Sequence, residues 1–167
     1  NCLRLNNCGR KGSFTDLQRA MGDKPVHEDN DSMLRRHVTK QYDVPKPNVN
    51  NLTDAALKFL RGRKFTDATI QKFRIKSVAG KNAVALPYYK DGKVVAIKYR
   101  CIDEKKFWGE KNQEPVLFNR DMVSGDTLIV VEGEFDAVAM GEYGIDAVSV
   151  PIGAQSVEWI EHEWDFL

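Results

Sequence analysis

A short apolar run that ends abruptly on acids and a glycine constrains this chain more than any other stretch: Thr127-Leu-Ile-Val-Val-Glu-Gly-Glu-Phe-Asp-Ala-Val-Ala-Met140. Leu128 to Val131 form the continuous, mostly β-branched series expected of a buried parallel strand, and Phe135, Val138 and Ala139 give the next segment a helical apolar face. Glu132, Glu134 and Asp136 therefore crowd the carboxyl end of a strand, where open α/β sheets place their ligands. Their oxygens suit a hard cation such as Mg²⁺ (or Mn²⁺); Mg²⁺ keeps much of its water and is usually shared between one or two carboxylates and phosphates. The same acids also fit the first turn of a helix, where they complement the dipole, and spacing does not separate the two readings.

The distribution of charge favours the cation-binding one. From Leu57 to Arg120 there are sixteen Lys or Arg against six Asp or Glu, whereas from Asp121 to Leu167 there are eleven acids and no Lys or Arg. The net charge of +1 hides this polarity. A basic segment feeding an acidic pocket suits the handling of phosphates with a metal: cations hold the phosphate and acids hold the metal. For any single lysine, ordinary solvated surface remains the competing account.

At 167 residues with 42% hydrophobic content the chain can bury a real core, and one to two domains are expected. No apolar run approaches the roughly twenty residues of a membrane span, so no membrane partner is expected. No signal-peptide pattern opens the chain, and the expectation is a soluble, intracellular protein. Asn1 at the start and Trp164-Asp-Phe-Leu167 at the close lead us to expect a piece of a longer protein.

Near the start, Cys2 and Cys8 bracket Leu3-Arg-Leu-Asn-Asn7, followed by Gly9, Lys11, Gly12 and Ser13. Two cysteines are half of a structural zinc site, which needs four ligands, and C-x₅-C is looser than the usual pair spacing; a pair of free thiols is the competing account. Residues 22–51, polar and broken by Pro25, Pro45 and Pro47, read as a linker. Thr53 and Thr66 then read as N-caps of two short helices, Asp54 to Arg61 and Asp67 to Phe73. A DNA-reading helix-turn-helix is one use of such a pair, although Phe59, Phe65 and Phe73 have the character of packing residues.

Asn82 to Tyr89 and Lys93 to Ile102 read as strands joined by an Asp91-Gly92 hairpin turn, with Val95, Ile97, Tyr99 and Cys101 on one face and Lys98 and Arg100 on the other. Lys105, Lys106, Phe107 and Trp108 follow, mixing cations with aromatics as surfaces that grip phosphate and base do. An edge strand guarded by lysines would look the same.

Taken together, these residues resemble a known family. The Glu132-Gly133 strand end with Asp136 is similar to the first acidic motif of the TOPRIM domain. The order Cys8-Gly9, Lys11-Gly-Ser-Phe14, Ala56-Leu-Lys-Phe-Leu60, Ala85-Leu-Pro-Tyr88, Asp91-Gly92, Ile97-Lys-Tyr-Arg100, Lys105-Lys-Phe107, Leu117-Phe118 and Glu132-Gly-Glu134 resembles the primase half of phage primase-helicases and of the related Twinkle helicase.

The resemblance implies an α/β fold: a remnant of a zinc ribbon over 1–21, the linker over 22–51, a basic α+β N-terminal subdomain over 52–120, and a partial TOPRIM, Rossmann-like sheet over 121–167. It implies strands near Leu128 to Val131 and Ala147 to Val150, helices at Phe135 to Tyr143 and Val157 to Trp164, and an uncovered sheet edge. By function it implies a primase, a nucleotidyltransferase making short RNA primers on single-stranded DNA. Glu132 would assist the transfer and Asp136 would shape the site, with Glu132 and Glu134 toward Mg²⁺. Lys98, Arg100, Lys105, Lys106 and Trp108 would contact nucleoside triphosphates and template, and Cys2 and Cys8 would be the second ligand pair of a zinc held in the parent protein. Pro151, Gly153 and Ala154 would form a phosphate-proximal loop.

The implied partner is a hexameric or heptameric helicase domain in the same parent chain, whose Walker loop has no counterpart here. The implied location is the cytoplasm of a phage-infected bacterial cell, or the mitochondrial matrix. The family's second acidic motif, Asp-x-Asp, and its first cysteine pair are not in these 167 residues, so this piece alone is expected to bind metal weakly and make no primer. Two other functions stay open: a catalytically inactive single-strand-binding accessory module of a helicase, and a TOPRIM nuclease or topoisomerase.

Overall fold

The structure, a computed structural model, describes Gly22 and residues 40–151 and 158–167. The expected ribbon remnant with Cys2 and Cys8, most of the linker, and the loop residues Gly153 and Ala154 lie outside the described residues. The chain divides into two compact units, Asn1–Lys40 and Gln41–Leu167, and every described strand and helix belongs to the second.

Its element order is β1 (Val49–Asn50), α1 (Asp54–Gly62), α2 (Asp67–Lys72), β2 (Lys76–Val78), β3 (Ala83–Lys90), β4 (Lys93–Cys101), β5 (Phe107–Gly109), a 3₁₀ turn (Arg120–Met122), β6 (Ile129–Val131), α3 (Glu134–Glu142), β7 (Ala147–Ser149) and α4 (Glu158–His162). Both threonine caps form: the Thr53 hydroxyl accepts from the Ala56 N–H, and that of Thr66 from the Thr69 N–H, each at 3.3 Å. Asp91 and Gly92 take φ values of 53° and 75°, the left-handed pair that a two-residue hairpin requires.

Strands β1 to β5 form an antiparallel sheet in chain order, while β6 and β7 pair in parallel around α3 as a βαβ unit. The two parts share one core. Leu60, Phe65 and Ile70 from the helical pair, Val84, Leu86 and Tyr88 from β3, and Phe135, Val138 and Ala147 from the βαβ unit are all buried in the same cluster. The division at 120/121 thus separates two kinds of sheet within one compact unit. A second cluster, Ala85, Ile97 and Tyr99 with Trp108 against it, covers the other face of the antiparallel sheet.

Three expectations change, and the packing character of the helical pair is seen directly. The linker does not run to residue 51: the Asp43 N–H donates to the Asn112 carbonyl at 3.0 Å, Pro45 is buried, and Val49–Asn50 adds a strand beside β2. The helical pair is a packing element, since Phe65 and Phe73 are buried and Phe59 meets Phe135 edge-on at 5.9 Å. Val95 leaves the Ile97–Tyr99 face and packs on the main core, because a register shift between Tyr88 and Tyr89 leaves it without an opposite residue and breaks the alternation. Finally, β6 is not buried: Ile129 is 37% and Val130 45% exposed, because β6 has β7 on one side and no second neighbour among the described residues.

Candidate functional site

The turn from β6 into α3 sorts its three acids by burial. Glu132 follows the last residue of β6 and is exposed; Gly133 caps α3; Asp136, one residue beyond Phe135, is exposed again. Gly133 makes room for that arrangement. A Cβ built on it would stand 2.8 Å from Asp136 Oδ2, so the glycine lets the Asp136 carboxylate fold back over the helix start toward the end of the strand.

Glu134 points the other way. It is 3% exposed, and its Oε1 accepts from Lys98 Nζ at 2.6 Å and from the Tyr88 hydroxyl. Burying a carboxylate costs several kcal/mol unless partners compensate, and the ammonium and phenol do so here. Burial, then the charge of Glu134 and the hydrogen bond to it, push the Tyr88 hydroxyl well above the usual phenol range, so Tyr88 stays a donor. Expected beside Glu132 as a metal-side acid, Glu134 instead ties α3 to the inner face of the antiparallel sheet.

The basic residues are placed as differently. Arg100 is 7% exposed, and its Nη1 donates to the carbonyls of Cys101 and Glu104, bracing the turn between β4 and β5; its Nε has no partner among the described residues. Lys105 and Lys106 stand exposed on that braced turn, Lys106 in a loose pair with Glu104 at 3.9 Å.

Pairing decides which aromatic joins the site. Phe107 is opposite Arg100 and Trp108 opposite Tyr99, so the two lie on different faces of the sheet. Phe107 carries the Arg100 guanidinium 5.1 Å from its ring centre and Lys98 Nζ at 5.7 Å. Trp108 stacks on Tyr99 at 5.4 Å on the outer face, with Lys81 over it at 5.2 Å. Trp108, singled out from the sequence, therefore faces away from Lys98 and Arg100.

Arg63 is a residue that the sequence did not reveal. It is the C-cap of α1, and its guanidinium lies 4.4 Å from the Phe135 ring centre and 5.1 Å from that of Phe59. Burial lowers its pKa, the like charge of Arg100 adds to this, and Asp136 opposes both. Arg63 and Arg100 share an aromatic neighbour, since the Arg100 guanidinium lies 5.7 Å from the same Phe59 ring. A cation at a helix C-terminus is so common that nothing local marks it out.

Among the described residues no three His, Cys, Asp or Glu side chains gather as a ready-made metal cage. The donor set is two exposed carboxylates, Glu132 and Asp136, on the turn whose third acid, Glu134, is held by Lys98. Two hard oxygen donors fit a cation that keeps most of its water and takes its remaining ligands from a phosphate.

No protein-family model matches the chain. It is 31% identical over 151 residues to "Primase homolog protein" of Arabidopsis thaliana, covering 88% of this chain and 43% of that protein. It is 28% identical over 158 residues to "Twinkle homolog protein, chloroplastic/mitochondrial" of the same plant, covering 92% and 21%. The chain thus spans less than half the length of these curated relatives. Among solved structures, the primase fragment of the bacteriophage T7 primase-helicase protein aligns with a TM-score of 0.53 at 22% identity, over 87% of this chain and 63% of that one. The DnaG primase catalytic domain bound to ssDNA aligns with a TM-score of 0.52 at 20% identity, over 67% and 53%. The fold is the mixed α/β fold of these primase domains.

Proposed function

We propose, on the premise that this chain is a homologue of the plant primase-homologue and Twinkle-homologue proteins, that it is the nucleotidyl-transfer part of a primase, joining ribonucleotides on a single-stranded DNA template. The observation that carries this reading is the buried Lys98–Glu134 pair. It fixes the inner face of β4 against the β6–α3 turn, the same turn that carries the exposed carboxylates of Glu132 and Asp136.

In this reading Arg63 and Lys98 draw the triphosphate to the acidic turn, and Arg100 holds the loop from which Lys105 and Lys106 reach the phosphates or the template. Phe107 offers its ring to a base. A bound Mg²⁺ or Mn²⁺, held by Glu132 and Asp136, would neutralise charge as the primer 3′-hydroxyl attacks the α-phosphate and pyrophosphate leaves. Glu132 sits nearest the strand end and is the candidate to accept the hydroxyl proton, while Asp136 positions the site. A zinc-bearing ribbon and a ring helicase belong to the parent protein in this reading, and the compartment follows the parent.

One observation favours a second reading, a single-strand-binding module without catalysis: Glu134 and Arg100 are spent on internal contacts, which leaves two free acids at the turn. Primer synthesis by the full-length gene product on single-stranded DNA, with Mg²⁺ and labelled ribonucleotides, separates the two. Oligoribonucleotides from the wild type and none from Glu132→Gln support the primase. No product from either, with strand binding intact, supports the accessory module.

A further inference from the structure

A second cavity, of about 480 Å³, opens between the end of α2, the β3–β4 hairpin and the segment around the 3₁₀ turn. It lies away from the acidic turn. The Asn119 side chain, in its wall, donates to the carbonyl of Ala147, the first residue of β7, whereas Glu132 follows the last residue of the parallel neighbour β6. The cavity is therefore at the amino ends of these strands and the candidate site at their carboxyl ends.

The walls are chemically graded. At one side stand Lys72 and Arg74, both exposed, with Lys72 also acting through its charge on the Asp146 carboxylate. Between lie the rings of Phe73, Phe118 and Tyr89, with the Arg74 guanidinium 4.3 Å from the Tyr89 ring centre. Opposite are the carboxylates of Asp91 and Asp121, the latter pinned by the Gly92 N–H at 2.8 Å. Met122, 37% exposed, forms an adaptable lip.

The lining is also held in unusual backbone. Arg74 and Asn119 take φ values of 54° and 68°, and the register shift at Tyr88/Tyr89 re-aims Tyr89. Left-handed backbone at side-chain-bearing residues is uncommon and gathers at binding sites. The volume is within the range of small-ligand pockets.

A ligand matching this gradient carries an anionic end for Lys72 and Arg74, a flat ring for the aromatic floor, and hydroxyl or amine donors for Asp91 and Asp121. We infer that this cavity is a second site for a nucleoside phosphate, separate from the acidic turn. The ligand is either a free nucleotide or the phosphorylated end of a strand; the two share this chemistry.

Amide NMR of the full 167-residue chain, without divalent cation, tests it with two probes: ATP, and a 5′-phosphorylated tetranucleotide of thymidine. Saturable shifts at Gly92, Asn119 and Asp121 with ATP identify a free-nucleotide site, and shifts with the tetranucleotide alone identify a strand-end site. In both cases Lys72→Gln combined with Arg74→Gly is expected to weaken binding at least tenfold. That variant keeps the fold testable, since Lys72 is exposed and position 74 has a φ of 54° that suits glycine. Shifts confined to Gly133 and Lys98, no shift with either probe, or unchanged affinity in the double variant would overturn the inference. The readout is binding at named amides, so it stands or falls independently of primer synthesis.

Discussion

Lys98 on β4 and Glu134 in the first turn of α3 meet at 2.6 Å, with the carboxylate almost wholly buried and the lysine side chain about a quarter exposed. The antiparallel sheet and the βαβ unit are thereby joined by charge as well as by apolar packing. The pair also sets the position of the acidic turn relative to the cations.

Removing the lysine strands a buried carboxylate. Lys98→Met is expected to destabilise the protein by about 3 kcal/mol, with a smaller loss for Glu134→Gln, whose amide oxygen still accepts from Tyr88. Urea denaturation measures both. A loss for Lys98→Met below about 1 kcal/mol would show that the pair behaves like a surface ion pair.

Tyr88 makes stability sensitive to alkali. Its phenol ionises above the ordinary value when folded, and near the ordinary pKa of about 10 when unfolded. Above that pH the unfolded chain has lost a proton that the folded chain keeps, so stability is whole below pH ~10 and falls as pH rises beyond it. Tyr99, raised first by burial and then by its bond to Glu110, adds a similar slope in every variant that retains it. Thermal melts between about pH 9.5 and 11.5 are expected to fall more steeply for wild type than for Tyr88→Phe; parallel curves would contradict the assignment.

Gly133→Ala separates folding from site geometry. The new Cβ collides with the Asp136 carboxylate, a side-chain end that can swing away, so the melting temperature is expected to change little. Mn²⁺ binding, followed by electron paramagnetic resonance, is expected to weaken several-fold, as it does in Asp136→Asn. Unchanged Mn²⁺ affinity in both variants would remove Asp136 from the site.

Phe107→Ala and Trp108→Ala test the two faces of the sheet. Loss of a base-stacking ring costs about 1–3 kcal/mol of single-strand binding, and that loss is expected for Phe107→Ala. Trp108→Ala is expected to lower the melting temperature, through its stack on Tyr99, with little change in binding. The reverse result would move the nucleic-acid path to the outer face.

Local signals were legible wherever a short stretch carries its own reason to fold. Thr53 and Thr66 announce helix starts, Asp91-Gly92 announces a hairpin, and the apolar run before Glu132 announces a strand. Those signals fail where a neighbour far along the chain decides. Alternation alone assigns Val95 to the wrong face because the bulge at Tyr88/Tyr89 belongs to the pairing of two strands, and Val130 is exposed because burial depends on what lies beside β6.

By itself, then, the sequence determined the two capped helices, the hairpin and the strand-to-helix turn that carries Glu132, Glu134 and Asp136, because caps, turns and alternation act within a few residues. Only the tertiary structure decided that Glu134 is spent on Lys98 and Tyr88 while Glu132 and Asp136 stay exposed, that Phe107 and not Trp108 shares a face with Lys98, and that Arg63 lies over Phe135. Neighbouring side chains in a strand point to opposite faces, so a difference of one position exchanges core for solvent, and the choice rests on partners that no local pattern encodes.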